Sequence, residues 1–379
     1  MTELSTTIGL ANLGNTCLLN VVLQALRFSP PLGEICLIND TIEKRKESNK
    51  KLLVDEFQTL MRDFWKANVP QGGKPTMMPR RFHGAFLRTI QESGDDWHHF
   101  GQQSDAAETI QYILNGIHDA IYKNVVMRIN GKARNQEEQG YIKAIDSWNS
   151  FFGKEYSPIV ENYNGQTQTD VICESCNAVS TRYEPWLMLK VPLPGGPTPY
   201  NTTPDATLTD CFNLGFANDS LDDYQCDACK VKGKATIRNR ISNFPPVIIL
   251  TLKRFTNNMQ KVSGKVAWDM NRLDLRSWAA FSAGDPFNKM YTPPIYETTA
   301  VIEQQGSFRG GHYRMYAKQN GIWNEYDDND VRQVPGESVA NCDAYVVFLT
   351  RTNMIDSMNT QFIKHIRSIR SKHEAAKEA

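Results

Sequence analysis

An α+β fold is the expectation for this chain of 379 residues. Helical periodicity occupies the first part of the chain, short β-type runs occupy the rest, and the two hardly alternate. From Cys17 to about Tyr122 the apolar residues recur at helical spacing. Leu18, Leu19, Val22, Leu23 and Leu26 share one stripe, and Leu53, Phe57, Leu60, Met61 and Phe64 share another. A third helix follows Gln102-Gln-Ser-Asp, with Ala106, Ile110, Ile113, Leu114, Ile117 and Ile121 along one face. Asp105, with Glu108 three residues on, has the wording of a capping box at its start.

After about Pro158 the texture changes to short β-type runs broken by turns. Asp170-Val-Ile-Cys leads into a Cys-x-x-Cys pair, and Trp186-Leu-Met-Leu-Lys-Val-Pro-Leu-Pro reads as a strand. Pro192, Pro194, Pro197, Pro199 and Pro204 then form a stiff, extended connection. Phe244-Pro-Pro-Val-Ile-Ile-Leu-Thr-Leu-Lys-Arg-Phe is a continuous apolar run of the kind that a strand buried on both faces requires. Strands resume over Tyr296 to Ile302, His312 to Ala317 and Ala344 to Leu349, and Met358, Phe362, Ile366 and Ile369 give the tail helical spacing. No internal repeat is present.

Composition narrows the function classes. Lys+Arg and Asp+Glu both number 42, so the formal net charge is zero and the basic footprint of a nucleic-acid or anionic-membrane binder is absent. The densest charge cluster, Glu43-Lys-Arg-Lys-Glu-Ser-Asn-Lys-Lys, reads as a solvated helix end or loop. The first residues lack a basic-then-apolar export pattern, and no apolar run approaches the ~20 residues of a membrane span. Of eight cysteines, Cys17, Cys36, Cys211 and Cys342 stand alone. The others form Cys173-Glu-Ser-Cys176 and Cys226-Asp-Ala-Cys229, two knuckles whose four thiolates suit one tetrahedral structural zinc. No organic cofactor is called for, and a reducing compartment, cytosol or nucleus, is expected.

Cys17 heads the first helix, in Gly-Leu-Ala-Asn-Leu-Gly-Asn-Thr-Cys-Leu-Leu-Asn. Much later the chain reads Gly-Gly-His-Tyr-Arg-Met-Tyr around His312, then Trp323-Asn-Glu-Tyr-Asp-Asp. A cysteine at a helix start, a histidine opening a strand and a carboxylate on a following strand can build a Cys-His-Asp hydrolase. The helix start sets the thiol against the positive dipole end and free N–H groups, which favour the attacking thiolate. Among seven histidines, His312 has the best setting for a general base, between two glycines and an alternating strand; the pair His98-His99 is its rival. Asp327 or its neighbour Asp328 would orient the imidazole.

The order and wording of these segments resemble the ubiquitin-specific protease family, over roughly residues 9 to 350. The resemblance implies a papain-like fold with a helical thumb (about 9–155), β-rich fingers tipped by zinc (about 156–245) and a β-rich palm (about 246–352), followed by a tail over 354–379. It implies a Cys17, His312, Asp327 triad, with the side-chain amide of Asn12 joining the Cys17 N–H as oxyanion donor. It also implies that Gln103 and Asp105 hold the extended substrate tail and that Tyr313 lines its passage. Two positions depart from the family pattern, Leu18 where an aromatic is common and Val21 where serine is common. Gln304-Gln305-Gly306 likewise replaces the usual lead-in to the base. The implied activity is thiol-dependent cleavage after the C-terminal Gly-Gly of ubiquitin, with ubiquitinated proteins as substrates and an activating protein as a further partner. A ubiquitin-binding scaffold of the same fold with weak catalysis is the alternative.

Overall fold

Helix α1 (Cys17–Arg27) is buried along its whole length, so its polar residues must find partners inside the protein. Asn20, Gln24 and Arg27 recur at helical spacing and do so. Gln24 Nε2 donates to the Ile8 carbonyl at 2.7 Å, and Arg27 Nη1 donates to Gln24 Oε1 at 3.0 Å. The Arg27 guanidinium also lies over the rings of Phe28, Phe64 and Trp65. This polar stripe ties the incoming N-terminal segment to the helix that carries Cys17.

The computed structural model describes residues 7–37, 50–66, 75–94, 105–129, 132–194, 206–256, 260–281, 293–307 and 310–355. After α1 come helices α2 (Pro30–Leu37), α3 (Lys51–Lys66), α4 (Arg80–Ser93), α5 (Ala106–Ile121), α6 (Gln136–Phe152), α7 (Pro158–Tyr163), α8 (Leu208–Gly215) and α9 (Gly336–Ala340). The strands are β1 (Gly9–Leu10), β2 (Thr76–Met77), β3 (Gly165–Cys173), β4 (Val179–Trp186), β5 (Met188–Pro192), β6 (Ala206–Thr207), β7 (Asp219–Gln225), β8 (Lys232–Asn243), β9 (Val247–Lys253), β10 (Val266–Ala267), β11 (Leu273–Asp274), β12 (Ile295–Gly306), β13 (Gly311–Gln319), β14 (Ile322–Asp327), β15 (Asp330–Val334) and β16 (Ala344–Arg351).

Two sheets organise the β half. An eight-stranded sheet runs β15-β14-β13-β12-β16-β9-β5 with β11 added beside β12, and a four-stranded sheet runs β4-β3-β8-β7. Helices, large sheet and small sheet are the thumb, palm and fingers of the expected α+β fold. The palm buries both faces. Ile249, Ile302, Met315 and Phe348 join the helical core, while Leu250, Val301, Tyr316 and Val347 join a second core on the opposite side with Phe212 of α8. That arrangement explains the unbroken apolar runs of β9 and β16.

Some elements differ from the expectation. Helices α6 and α7 fall where no helix was anticipated, because α6 buries little apart from Ala144 and Trp148 and so lacks a strong apolar stripe. The run from Trp186 divides, its first residue ending β4 in the fingers and Met188 opening β5 in the palm. Of the capping box at α5 the Asp105 half forms, with Oδ1 accepting from Ala107 N and Glu108 N. The charged cluster near residue 45, most of the proline-rich connection and residues 356–379 of the tail lie outside the described residues.

Arg254 fastens the palm. Fully buried, it donates from Nε to the Ala344 carbonyl at 2.6 Å, from Nη1 to Val262 at 3.0 Å and from Nη2 to Gly264 at 2.9 Å. Arg254→Ala would orphan three carbonyls and leave a cavity, so it should cost about 3 kcal/mol or more. Chemical denaturation checks this, and an unchanged midpoint would contradict it.

Candidate active site

A hairpin sets the spacing of the first pair. Asn320 and Gly321, at φ 50° and 80°, close a two-residue loop between Gln319 of β13 and the paired Ile322 of β14. His312 at the start of β13 and Asp327 at the end of β14 therefore finish at the same edge. His312 Nε2 lies 2.5 Å from Asp327 Oδ1, which leaves Nδ1 as the ring nitrogen available to a thiol. Both side chains are partly exposed, so the pair faces solvent from a rigid mount.

Cys17 approaches from the helical side. Burial pushes its thiol above the ordinary value; the backbone N–H of Tyr313 pulls it down, the Asp328 carboxylate raises it, and the N–H groups of Leu18 and Cys17 pull it down again. The Tyr313 contact seats the sulfur beside the residue that follows His312. The helix start does supply N–H groups, but their pull is smaller than the desolvation, so the expected depressed thiol is not found in this state.

Asp328 joins the two halves. At φ 52° it accepts the Asn12 Nδ2 hydrogen at Oδ2 (2.8 Å) and the Asn20 Nδ2 hydrogen at Oδ1 (2.7 Å). Its carbonyl accepts from Leu10 N at 2.8 Å. The Asn329 backbone lies so close that a Cβ on Gly9 would meet its carbonyl oxygen at 2.4 Å, which makes glycine necessary there. Asn12 Oδ1 braces the turn, accepting from Gly14 N at 2.9 Å and Thr16 N at 3.2 Å. One Nδ2 hydrogen of Asn12 is thus engaged and the second is left for another acceptor. In the sequence Asp328 reads as an alternative orienter of the imidazole. Its role as a junction depends on Asn20, whose position inside an apolar helix was the available signal.

Asp105 sits on the far side of Tyr313. Its Oδ2 accepts from the Tyr345 hydroxyl while its other oxygen caps α5. It opens onto a cavity of about 170 Å³ lined by Glu108, Gln111, Lys190, Arg254 and Tyr345 among others. Tyr313 is buried in the helical core, its phenol pushed far up by burial and next by Asp105. Gln103, together with His98 and His99, lies outside the described residues.

The four paired cysteines meet at the tip of the fingers. All are unbridged, and their sulfurs lie within 4.8 Å of one another. Cys173 to Cys229 is 3.9 Å and Cys176 to Cys226 is 3.7 Å, close to the edge of about 3.8 Å in a tetrahedral thiolate site with metal–sulfur bonds near 2.3 Å. The knuckles match: Asn177 N donates to the Cys173 carbonyl, Lys230 N donates to the Cys226 carbonyl, and Asn177 and Lys230 both have positive φ. The set could hold one metal ion.

A model of the ubiquitin carboxyl-terminal hydrolase family matches residues 8–349. The chain belongs to that family. Among curated relatives, bovine ubiquitin carboxyl-terminal hydrolase 2 is 27% identical over 351 residues, covering 90% of this chain and 54% of the relative. Human ubiquitin carboxyl-terminal hydrolase 21 is 27% identical over 368 residues, covering 90% and 61%. The chain therefore spans somewhat over half the length of these relatives. A solved SAGA Ubp8/Sgf11/Sus1/Sgf73 DUB module bound to ubiquitin aldehyde has a similar fold, with TM-score 0.67 at 20% identity, covering 92% of this chain and 70% of that one.

The surroundings of the Cys17 thiol are open to test. Removing the negative charge in Asp328→Asn takes away a cause of the raised Cys17 value, so the thiolate should form at lower pH. The midpoint of Cys17 alkylation by iodoacetamide should move down in the variant. An upward move, or none, would contradict the assignment.

Proposed function

We propose that this chain is a thiol-dependent hydrolase that cleaves the peptide or isopeptide bond after the C-terminal Gly-Gly of ubiquitin. The observation that carries the reading is the 2.5 Å His312–Asp327 pair beside the Tyr313 N–H that contacts the Cys17 sulfur, within a family match over residues 8–349. Cys17 sulfur attacks the Gly carbonyl carbon as His312 Nδ1 takes the thiol proton. Asp327 holds Nε2–H and stabilises the imidazolium. The tetrahedral oxyanion is met by the Cys17 N–H and the remaining Nδ2 hydrogen of Asn12. His312 then gives its proton to the leaving amine, the C–N bond breaks and a thioester remains. Water, deprotonated by His312, hydrolyses the thioester and regenerates the thiol.

Asp105, Gln103 and Tyr313 are assigned to the extended substrate tail by the family resemblance, and the cavity onto which Asp105 opens supports the assignment of Asp105. The four cysteines are assigned to one structural zinc, whose closed thiolate set fastens the fingers and takes no part in bond cleavage. An activating protein partner is proposed because a solved module of similar fold contains Sgf11, Sus1 and Sgf73, and the raised thiol fits that proposal. The raised thiol equally supports the second reading, a ubiquitin-binding scaffold with weak turnover. A cytosolic or nuclear location is proposed from the unbridged cysteines.

A ubiquitin carrying a C-terminal electrophile should add once, on Cys17, and Cys17→Ser should abolish both capture and hydrolysis of a ubiquitin C-terminal amide. Asn12→Ala should lower kcat by about a hundred-fold with little change in ubiquitin affinity. Capture without turnover would select the scaffold; modification elsewhere would reject the nucleophile. One zinc per chain should be found by elemental analysis, and its chelation should lower the unfolding temperature.

A further inference from the structure

The sheet behind His312 carries charges of alternating sign from strand to strand. Arg314 lies two residues along β13 from His312, hence on the same face, while Tyr313, Met315 and Ala317 turn the other way into the helical core. In the β12–β13 register Arg314 stands opposite Glu303, and Gln305 stands opposite His312. On the other side Met315 pairs with Tyr326 and Tyr316 with Glu325, so the next step of that ladder sets Arg314 against Asp327.

The guanidinium uses these neighbours. Its Nη1 donates to Glu325 at 3.0 Å and its Nη2 donates to Gln305. Glu325 is almost fully buried and receives a second guanidinium from Arg332 of β15. The remaining donor, Arg314 Nε, is buried without a hydrogen-bond partner among the described residues and lies 3.8 Å from Asp327 Oδ2. Asp327 Oδ1 is the oxygen held by His312. One carboxylate thus stands between the imidazole and an anchored cation with a donor to spare.

We propose that Arg314 is a positioning residue for the hydrolytic reaction: anchored by Glu325 and Gln305, it draws Asp327 Oδ2 and so fixes the carboxylate rotamer that presents Oδ1 to His312. The inference rests on the triad reading above. A free carboxylate at a strand end can rotate toward water, and its rotation would release the imidazole. A planar guanidinium restrains it directionally, which an ammonium does less well. The spare Nε–H gains its bond by a small contraction toward Oδ2 when positive charge develops on His312 and draws Asp327 into a single orientation. Burial of Nε favours that contraction, because an unpaired buried donor is costly.

The test compares Arg314→Gln and Arg314→Lys with Arg332→Gln, which removes the other partner of Glu325. Arg314→Gln should lower kcat about ten-fold with KM nearly unchanged, the pattern of a lost transition-state interaction. The downfield proton resonance of His312 Nε2–H should broaden or vanish. Arg314→Lys should recover part of both, and Arg332→Gln should leave the resonance in place. If Arg314→Gln is too unstable to assay, Arg314→Gln with Glu325→Gln removes the orphaned carboxylate as well, and the same two readouts apply. An intact His312 resonance with unchanged kcat would overturn the proposal, as would equal losses in Arg314→Gln and Arg332→Gln. If the wild-type protein proves inactive on ubiquitin substrates, the triad reading fails while the resonance still reports whether Arg314 holds Asp327.

Discussion

The carboxylate of Asp328 connects parts of the chain that are far apart in sequence. Asn12 and Asn20, before and within the helix that carries Cys17, both donate to it, and its own backbone sits one residue beyond Asp327. Without this junction the cysteine half and the histidine half would meet mainly through apolar packing, which sets distance loosely and orientation hardly at all. A carboxylate shared by two amides sets both. It also puts negative charge near the thiol, and the site accepts that opposing effect in exchange for alignment.

Burial is the second constraint. A helix buried along its length, such as α1, gives the Cys17 side chain a stable position but raises the energy of a thiolate. The N–H groups of Tyr313, Leu18 and Cys17 offset part of that effect and leave the thiol high in this state. A substrate or partner that opened the cleft to water, or added a donor near the sulfur, would shift the balance. The palm adds its own polar framework inside an apolar sheet, with Arg254 bonded to three carbonyls and Glu325 held between two arginines.

Much of this was legible in the sequence, and the reasons are physical. The apolar runs of β9 and β16 and the stripes of α1, α3 and α5 are signals of period and burial, and they appear where expected. The cysteine knuckles were readable because Cys-x-x-Cys is a spacing that tetrahedral thiolate ligation uses, and the structure gathers the four sulfurs. His312 and Asp327 were readable from their glycine and aromatic settings, and the structure brings them into contact. Helix α6 was not, because a helix that buries two side chains writes no strong pattern. Nor was the junction at Asp328, or the contact of Arg314 with Glu325 and Gln305. The first joins the end of β14 to Asn12 and Asn20, far away in the chain, and the second depends on the registers of β13 with β14 and with β12, which a single strand read alone does not disclose.

The central claim is that Cys17, served by His312 and Asp327, forms a covalent bond to the substrate carbonyl. Acid quenching of a single turnover on a ubiquitin C-terminal amide, followed by intact mass and peptide mapping, tests it most directly. The account predicts a ubiquitin adduct that has lost the amine, is labile to hydroxylamine as a thioester is, and maps to the peptide containing Cys17. Turnover without such an adduct, or an adduct on any other cysteine, would contradict it.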